Sequence, residues 1–367
     1  MDNSILLQLS NKFKIEGHPC HIEEFGSGHI NDTYKVLTDS AEGADYLLQR
    51  INHHVFKDVD VLMQNIETVT RHLKTKSADR PVLTIVRTHS HSLYHRDEEG
   101  NYWRMMILIN GTKSYDIVET ESQAREGGRA FGEFQAQLSD LDTSMIDYTI
   151  PNFCNIDFRM KNFHHALAGD VVLRKNQVAD EIAYILSRQE KMYAILNMAK
   201  KGELPLRITH NDTKFNNVLL DHEDKARCVI DLDTVMPGYA AYDFGDAIRT
   251  IINRAAEDEA DISKIQLNMP LFKAYTQGYF EYAHAFLTSK EIDSLKEGVL
   301  LFPFMQAVRF LTDYLEGDQY YKIQHPAHNL QRARAQLKLA LEVENHQQII
   351  DDFIQQTAAQ YLVHKNG

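Results

Sequence analysis

His210-Asn211-Asp212-Thr213-Lys214-Phe215-Asn216-Asn217 places an acid, a base and an amide close together, between two short apolar runs. These residue types suit transfer of a phosphoryl group to a hydroxyl. An Asp such as Asp212 can orient an attacking hydroxyl and accept its proton. An Asn such as Asn217 can hold a metal ion, and a Lys such as Lys214 can offset charge on the transferred group. Asn and Asp also favour turns, so a polar loop between two strands is the competing reading. A second segment strengthens the first. The apolar run Arg227-Cys228-Val229-Ile230 ends in Asp231-Leu232-Asp233, as expected of a buried strand that delivers a metal-holding carboxylate, Asp231, to a cleft. Asp233 is expected on the same side as Asp231 in extended geometry. Two carboxylates there are costly unless a cation or hydrogen-bond donors lie between them. A third segment, Gly26-Ser27-Gly28-His29-Ile30-Asn31-Asp32-Thr33, could bring backbone N–H groups to phosphate oxygens. It lacks the third glycine of a G-x-G-x-x-G loop, and a plain β-turn reads equally well.

Two kinds of element must hold these groups. Thr33 to Leu37 and Tyr46 to Arg50, with a polar turn between them, read as strand, turn, strand. Val59, Leu62, Met63, Ile66, Val69 and Leu73 follow helical spacing. Leu83 to Val86, Ser92 to Tyr94 and Tyr102 to Ile109 read as strands again. Helices are expected over Glu121–Leu138, Asp180–Met198, Tyr239–Asn253, Leu267–Phe286 and Ala333–Tyr361, interrupted by a β-rich island from Leu206 to Ile230. The fold class is therefore α+β and bilobal. A small β-rich lobe spans residues 1–110, and a larger, mostly helical lobe spans 111–367, with the boundary near Asn110-Gly111-Thr112. Clefts between such units often bind ligands.

Composition narrows the options. The 367 residues carry a formal charge of −13, with 43% hydrophobic and 25% charged residues. The acidic balance argues against nucleic-acid binding and against anionic membrane surfaces. The N-terminus lacks a basic segment followed by a long apolar run, so no signal peptide is expected. The apolar stretch Val299 to Met305 is too short to span a bilayer. Cys20, Cys154 and Cys228 have no paired spacing and fit a reducing cytoplasm. No HExxH or Cys-x-x-Cys spacing occurs, which argues against a protein-ligated zinc site.

The spacing of His210, Asp212 and Asn217 is that of the protein-kinase catalytic loop. Beyond it, the chain resembles the aminoglycoside phosphotransferase and choline kinase group, which shares the protein-kinase fold. Within that group the likeness is to the N-acetylhexosamine 1-kinases. It rests on Gly28-His29-Ile30-Asn31, Leu48-Gln49-Arg50, Thr209 to Lys214, Asn216-Asn217, Ile230 to Thr234, Met236-Pro237-Gly238, Asp243-Phe244-Gly245-Asp246, Arg309-Phe310-Leu311 and Asp313 to Asp318. The resemblance implies ATP-dependent phosphorylation of the anomeric hydroxyl of N-acetylglucosamine or N-acetylgalactosamine. It implies Asp212 as base, Asn217 and Asp231 as magnesium ligands, and Lys214 beside the transferred group. Arg309 and Tyr320 would bind the sugar, with Asn31 and Asp233 as further contacts. ATP would lie between the lobes, with Gly28 and His29 over its phosphates and its adenine near Ile107 and Ile109.

One departure stands out. No lysine marks the third strand, where this fold places its phosphate-binding lysine. Gln49 or Arg50 occupies the region, and the sequence does not decide which faces the cleft. Arg50 could pair with phosphate, though Arg and Lys are not interchangeable. Glu67 is its candidate helix partner, or a solvated face. Asp243 reads as a cap or a support for the catalytic loop, His210 as structural and Trp103 as core. Arg309 lies in an apolar helical stretch and needs a partner if buried, unless it makes a surface salt bridge. Two competing functions remain. The acceptor could be an aminoglycoside, choline, ethanolamine or homoserine, with Glu316 and Asp318 meeting a cationic one. Alternatively the chain is an inactive kinase-like binding protein, which only the missing lysine favours.

Overall fold

A computed structural model describes residues 2–26, 30–40, 43–77, 80–253 and 255–363. The first helix, α1 (Asn3–Ser10), leads into β1 (Pro19–Glu24), β2 (Asp32–Thr38) and β3 (Tyr46–Ile51). Next come α2 (Val59–Lys76), β4 (Ile85–Val86), β5 (His95–Arg96) and β6 (Tyr102–Ile107). The strands form one antiparallel sheet in the order β1-β2-β3-β6-β4, with β5 also paired to β6.

The sheet has two unlike faces because side chains alternate along a strand. Leu48, Trp103 and Met105 face α1 and pack on Leu6 and Leu9. Ile51 and Met106 face the other way, into a cluster with Leu62, Met63 and Ile66 of α2. Gln49 and Arg104, directly opposite one another, share that second face. The α2 cluster continues into the rest of the molecule through Phe134, Ile208, Leu232 and Val235, so one apolar core spans both lobes.

The helical part begins with α3 (Glu121–Leu138), started by a Thr120–Gln123 capping box. It continues through α4 (Ile156–Gly169), α5 (Ala179–Met192) and α6 (Ala194–Lys200). Short strands β7 (Arg207–Thr209), β8 (Val218–Leu220), β9 (Ala226–Val229) and β10 (Met236–Gly238) follow. They pair as β7 with β10 and β8 with β9. The chain ends with α7 (Ala240–Ile251), α8 (Met269–Ala283), α9 (Ser289–Leu315), α10 (His328–Asn345) and α11 (Gln347–Val363).

Several elements differ from the sequence expectation. Of helix α9 only the stretch around Arg309 was expected, because the helix is buried on every side, from Ile292 through Leu315, and so shows no amphipathic stripe. Pro303 inside it also reads as a helix breaker. Helix α4, strand β10 and helix α1 were likewise not anticipated. The helix expected over Asp180–Met198 breaks at Tyr193, and the one over Ala333–Tyr361 breaks at His346. The strand expected at Ser92–Tyr94 forms at His95–Arg96 instead.

Helices α7 and α9 touch backbone to backbone. A Cβ on Gly245 would lie 2.3 Å from the Gly298 carbonyl oxygen, and one on Gly298 would lie 2.0 Å from that of Ala241. Only glycine permits this approach.

Candidate active site

Strand β7 delivers the chain into the 210–217 loop, and β10 runs antiparallel beside it. Two buried carboxylates on α7 suspend that loop. Asp243 accepts the backbone N–H of His210 at 2.8 Å and of Asn211 at 2.7 Å, and the Gln135 amide at 2.8 Å. Asp246 accepts the Thr213 N–H at 3.1 Å, while its other oxygen takes Arg249. Asp243 thus has the loop-supporting role that its position suggested. Burial pushes both carboxyls above their ordinary range, against the opposing pull of their donors.

His210 is structural too. Its Nδ1 accepts the Asp212 N–H at 3.3 Å and its Nε2 faces the Ile230 carbonyl at 2.9 Å, as in a ring protonated on Nε2. The histidine therefore ties the catalytic-type loop to the end of the strand that carries Asp231. The rings of Phe131 and Phe134 meet it edge-on.

Asp212 sits half-buried at the loop apex. Burial opposes its ionisation, but the Lys214 ammonium 3.2 Å away, together with His210 and Arg249, offsets this and holds its carboxyl below the ordinary value. Asp212 in turn raises Lys214, so both stay charged. Asn217 donates its amide nitrogen to the Asp212 carbonyl at 2.8 Å and to Oδ2 at 3.3 Å, which leaves its amide oxygen for a cation. Asp231 opens into the same cleft from a left-handed backbone conformation, φ 60° and ψ 56°. Although Asp231 is exposed at its surface, loss of water to the protein packed around it, then the Asp233 and Asp212 carboxylates, push it up to about 6.

The extended geometry expected across Asp231 to Asp233 does not form. A 3₁₀ turn at Leu232–Thr234 follows Asp231 and rotates Asp233 inward. Asp233 is 2% exposed and binds Arg104 through both oxygens, one at 3.0 Å. Asn31 donates to the same carboxylate at 2.7 Å and accepts the Asn52 N–H at 2.9 Å. The donors that the carboxylate pair demanded are thus Arg104 and Asn31. Arg104 itself was missed; the signal was a lone cation within Tyr102-Trp103-Arg104-Met105-Met106, a run otherwise suited to a sheet interior.

The third-strand question is settled by register. Gln49 faces the cleft side and bridges Thr33 and Arg104, each at 2.9 Å. Arg50 points to the opposite face and pairs with Asp32, at 2.7 Å through Nε, so it stands apart from Asp212 and Asp231. Glu67 pairs with Arg87 at 2.6 Å rather than with β3. Ile107 closes β6 partly exposed, and Ile109 follows in the loop, its carbonyl accepting the Thr112 hydroxyl. Gly28 and His29 lie outside the described residues.

Beyond Asp212, Arg309 projects from α9. Its guanidinium lies over the rings of Phe153 and Tyr321, and it donates to Gln306. Arg159, also missed by the sequence, donates to the Phe153 carbonyl. The buried Nε atoms of both arginines lack a protein acceptor. Burial, then the neighbouring Arg309, lowers Arg159 to about 10. Tyr320 stands 66% exposed, with its N–H and that of Tyr321 held by Asp313. Asp318 is consumed by Arg174 and Asn329, while Glu316 is exposed at the end of α9.

Among the described residues no three His, Cys, Asp or Glu side chains form a metal cage, and no helix is long and apolar enough to cross a membrane. Asp231 and Asn217 do fit a magnesium-type ion, which takes one or two protein oxygens and completes its shell with phosphate and water.

Solved structures share this architecture. Choline kinase from Cryptosporidium parvum Iowa II is 15% identical, with 96% of this chain and 98% of that chain covered and a TM-score of 0.61. A microcompartment-associated aminopropanol kinase is 14% identical over 95% and 98%, with a TM-score of 0.61. An amicoumacin kinase in complex with AMP-PNP and Ca²⁺ is 12% identical over 96% and 94%, with a TM-score of 0.59. The fold is therefore that of the kinase-like small-molecule phosphotransferases. More narrowly, residues 21–283 match the profile of the phosphotransferase enzyme family APH, and the chain belongs to that family.

Proposed function

We propose that this phosphotransferase uses ATP and Mg²⁺ to phosphorylate the anomeric hydroxyl of N-acetylglucosamine or N-acetylgalactosamine. The observation that supports this acceptor class is the pair Arg309 and Arg159, whose Nε atoms have no protein partner beside the exposed Tyr320. Two adjacent guanidinium charges disfavour an ammonium group, which supports a neutral acceptor. Asp318, a candidate for meeting a cationic acceptor, is already bound to Arg174. An amine-bearing alcohol, as named for the aminopropanol and choline kinases, fits this family equally, and Glu316 stays exposed, so the acceptor screen decides between the two.

In this reading Asp212 orients the sugar hydroxyl and receives its proton late, as suits a carboxyl held ionised by Lys214. Asp231 and Asn217 would hold the magnesium ion, which when bound neutralises the β- and γ-phosphate oxygens. Ile107 and Ile109 would border the adenine of the nucleotide. Arg309 and Tyr320 would fix the sugar.

The test is an ATP-consumption screen over hexosamines, neutral hexoses, choline and homoserine, with phosphorus NMR of the product. Turnover with N-acetylhexosamine and phosphate on C1 is expected. Phosphate at C6, or turnover only with an amine, rejects the sugar reading.

Metal binding should depend on pH. A metal-holding carboxyl must be deprotonated, and Asp231 stands at about 6. Mg²⁺ affinity, measured by calorimetry with saturating ADP, is expected to be flat above that value and to fall about tenfold per pH unit below it. Affinity unchanged from neutral pH down to about 5 would count against Asp231 as the ligand.

A further inference from the structure

The N-terminal lobe holds its charge in an unusual place. In this fold, a third-strand lysine paired with a helix glutamate readies the site for the nucleotide. Here neither partner is in position. Gln49 occupies the cleft face of β3, Arg50 is turned to Asp32, and Glu67 is turned to Arg87. A buried cation is nonetheless present one strand over. Arg104 on β6 lies directly across from Gln49 and is 3% exposed. It spans to Asp233 of the C-terminal lobe with a two-pronged ion pair, steadied by Gln49 on one side and Asn31 on the other.

We propose that Arg104 and Asp233 form an inter-lobe positioning pair that replaces the lysine–glutamate pair and sets the direction of Asp231. Asp233 is two residues beyond Asp231, across a single 3₁₀ turn. On the near side, the Ile230 carbonyl is fixed by His210. On the far side, the main chain is fixed by Thr149 on the Asp233 carbonyl at 2.9 Å and by Asn65 of α2 on the Val235 carbonyl at 3.2 Å. Asp231 between them holds a left-handed conformation that costs a non-glycine residue free energy and persists only when its flanks dictate it. Arg104 supplies the charged side-chain tether on that flank, beside the neutral amide of Asn31. Both charges are buried, so bidentate geometry and the extra donors are what make the pair tenable. The arrangement joins the sheet that covers the nucleotide to the residue that would hold its metal. Arg104 acts through Asp231 and is not itself a phosphate ligand.

The inference rests on the reading of Asp231 as the metal-holding residue, and the test separates the two. The half-saturating Mg²⁺ concentration for ADP binding is measured in the full chain, alongside ADP binding without metal and the thermal midpoint. Arg104→Gln and Asp233→Asn are expected to raise that Mg²⁺ concentration about 10- to 100-fold, while metal-free ADP affinity changes little. Arg104→Lys keeps the charge but loses the fork, and is expected to fall between. It also serves as the test variant if Arg104→Gln does not accumulate in folded form. A folded Arg104 or Asp233 variant with an unchanged Mg²⁺ requirement overturns the proposal. So does a loss of metal-free ADP affinity equal to the loss with metal, which would make Arg104 a direct phosphate contact. Asp231→Ala is the reference. If it leaves the Mg²⁺ requirement intact, the metal reading has failed; if it abolishes the requirement and the Arg104 variants do not change it, the positioning pair alone has failed.

Discussion

Asp212→Asn is expected to lower turnover about 10²- to 10⁴-fold and to leave ADP affinity and the thermal midpoint nearly unchanged. The amide keeps the shape of the carboxyl but cannot take a proton from the attacking hydroxyl. It also removes the charge that Lys214 faces at 3.2 Å, so the ammonium loses its partner at the apex of the loop. The backbone contacts that hold the loop do not involve the Asp212 carboxylate: His210 and Asn211 hang on Asp243, and Thr213 hangs on Asp246. The loss should therefore appear in kcat and not in folding. Single-turnover measurements with saturating ATP and acceptor would show it, and near-parental turnover in Asp212→Asn would exclude Asp212 as the base.

Asp243→Ala is expected to damage both stability and rate. The Asp243 carboxylate receives the His210 N–H, the Asn211 N–H and the Gln135 amide, all in a buried setting. Each donor left without a partner costs about 1–3 kcal/mol, so a loss of about 3–5 kcal/mol in unfolding free energy is expected. Turnover should fall about 10²-fold in the molecules that remain folded, because a displacement of about 1 Å in the loop misplaces Asp212. Urea unfolding would give the first quantity, and active-site-normalised kinetics below the transition the second. A folded Asp243→Ala protein with parental turnover would show that Asp246 and Arg249 suffice to hold the loop.

The parts of the fold legible in the sequence were those with a strong period or a fixed spacing. The α2 stripe from Val59 to Leu73 and the helix expected over Glu121–Leu138 have local causes, and both elements formed. The same holds for the catalytic-type loop, whose residue types and spacing come from chemistry that leaves few alternatives. Most of helix α9 was illegible because burial on every side erases amphipathic contrast. The direction of Asp233 was illegible for another reason. A left-handed residue at Asp231 reverses the expected alternation, and only the tertiary partner Arg104 reveals why. The side on which Gln49 and Arg50 point is likewise set by register with β6, a long-range property. Arg159 became significant only when α4 and α9 brought it beside Arg309, which no sequence separation announces.

The crossing of α7 and α9 at Gly245 and Gly298 has a consequence for how such a protein can diversify. With the two backbones in contact, the helix bearing Asp243 and Asp246 and the helix bearing Arg309 move as one body, and neither tolerates a side chain at the crossing. The proposed acceptor site would be bordered from outside that body, by Phe153 on one loop and by Tyr320 and Tyr321 on another. A library of variants confined to those loops would thus exchange acceptors while leaving the transfer machinery intact. One drawn from the helix crossing would yield unfolded chains before it yielded new substrates. On the proposed reading, heritable change in specificity and preservation of chemistry would fall to different parts of the same lobe.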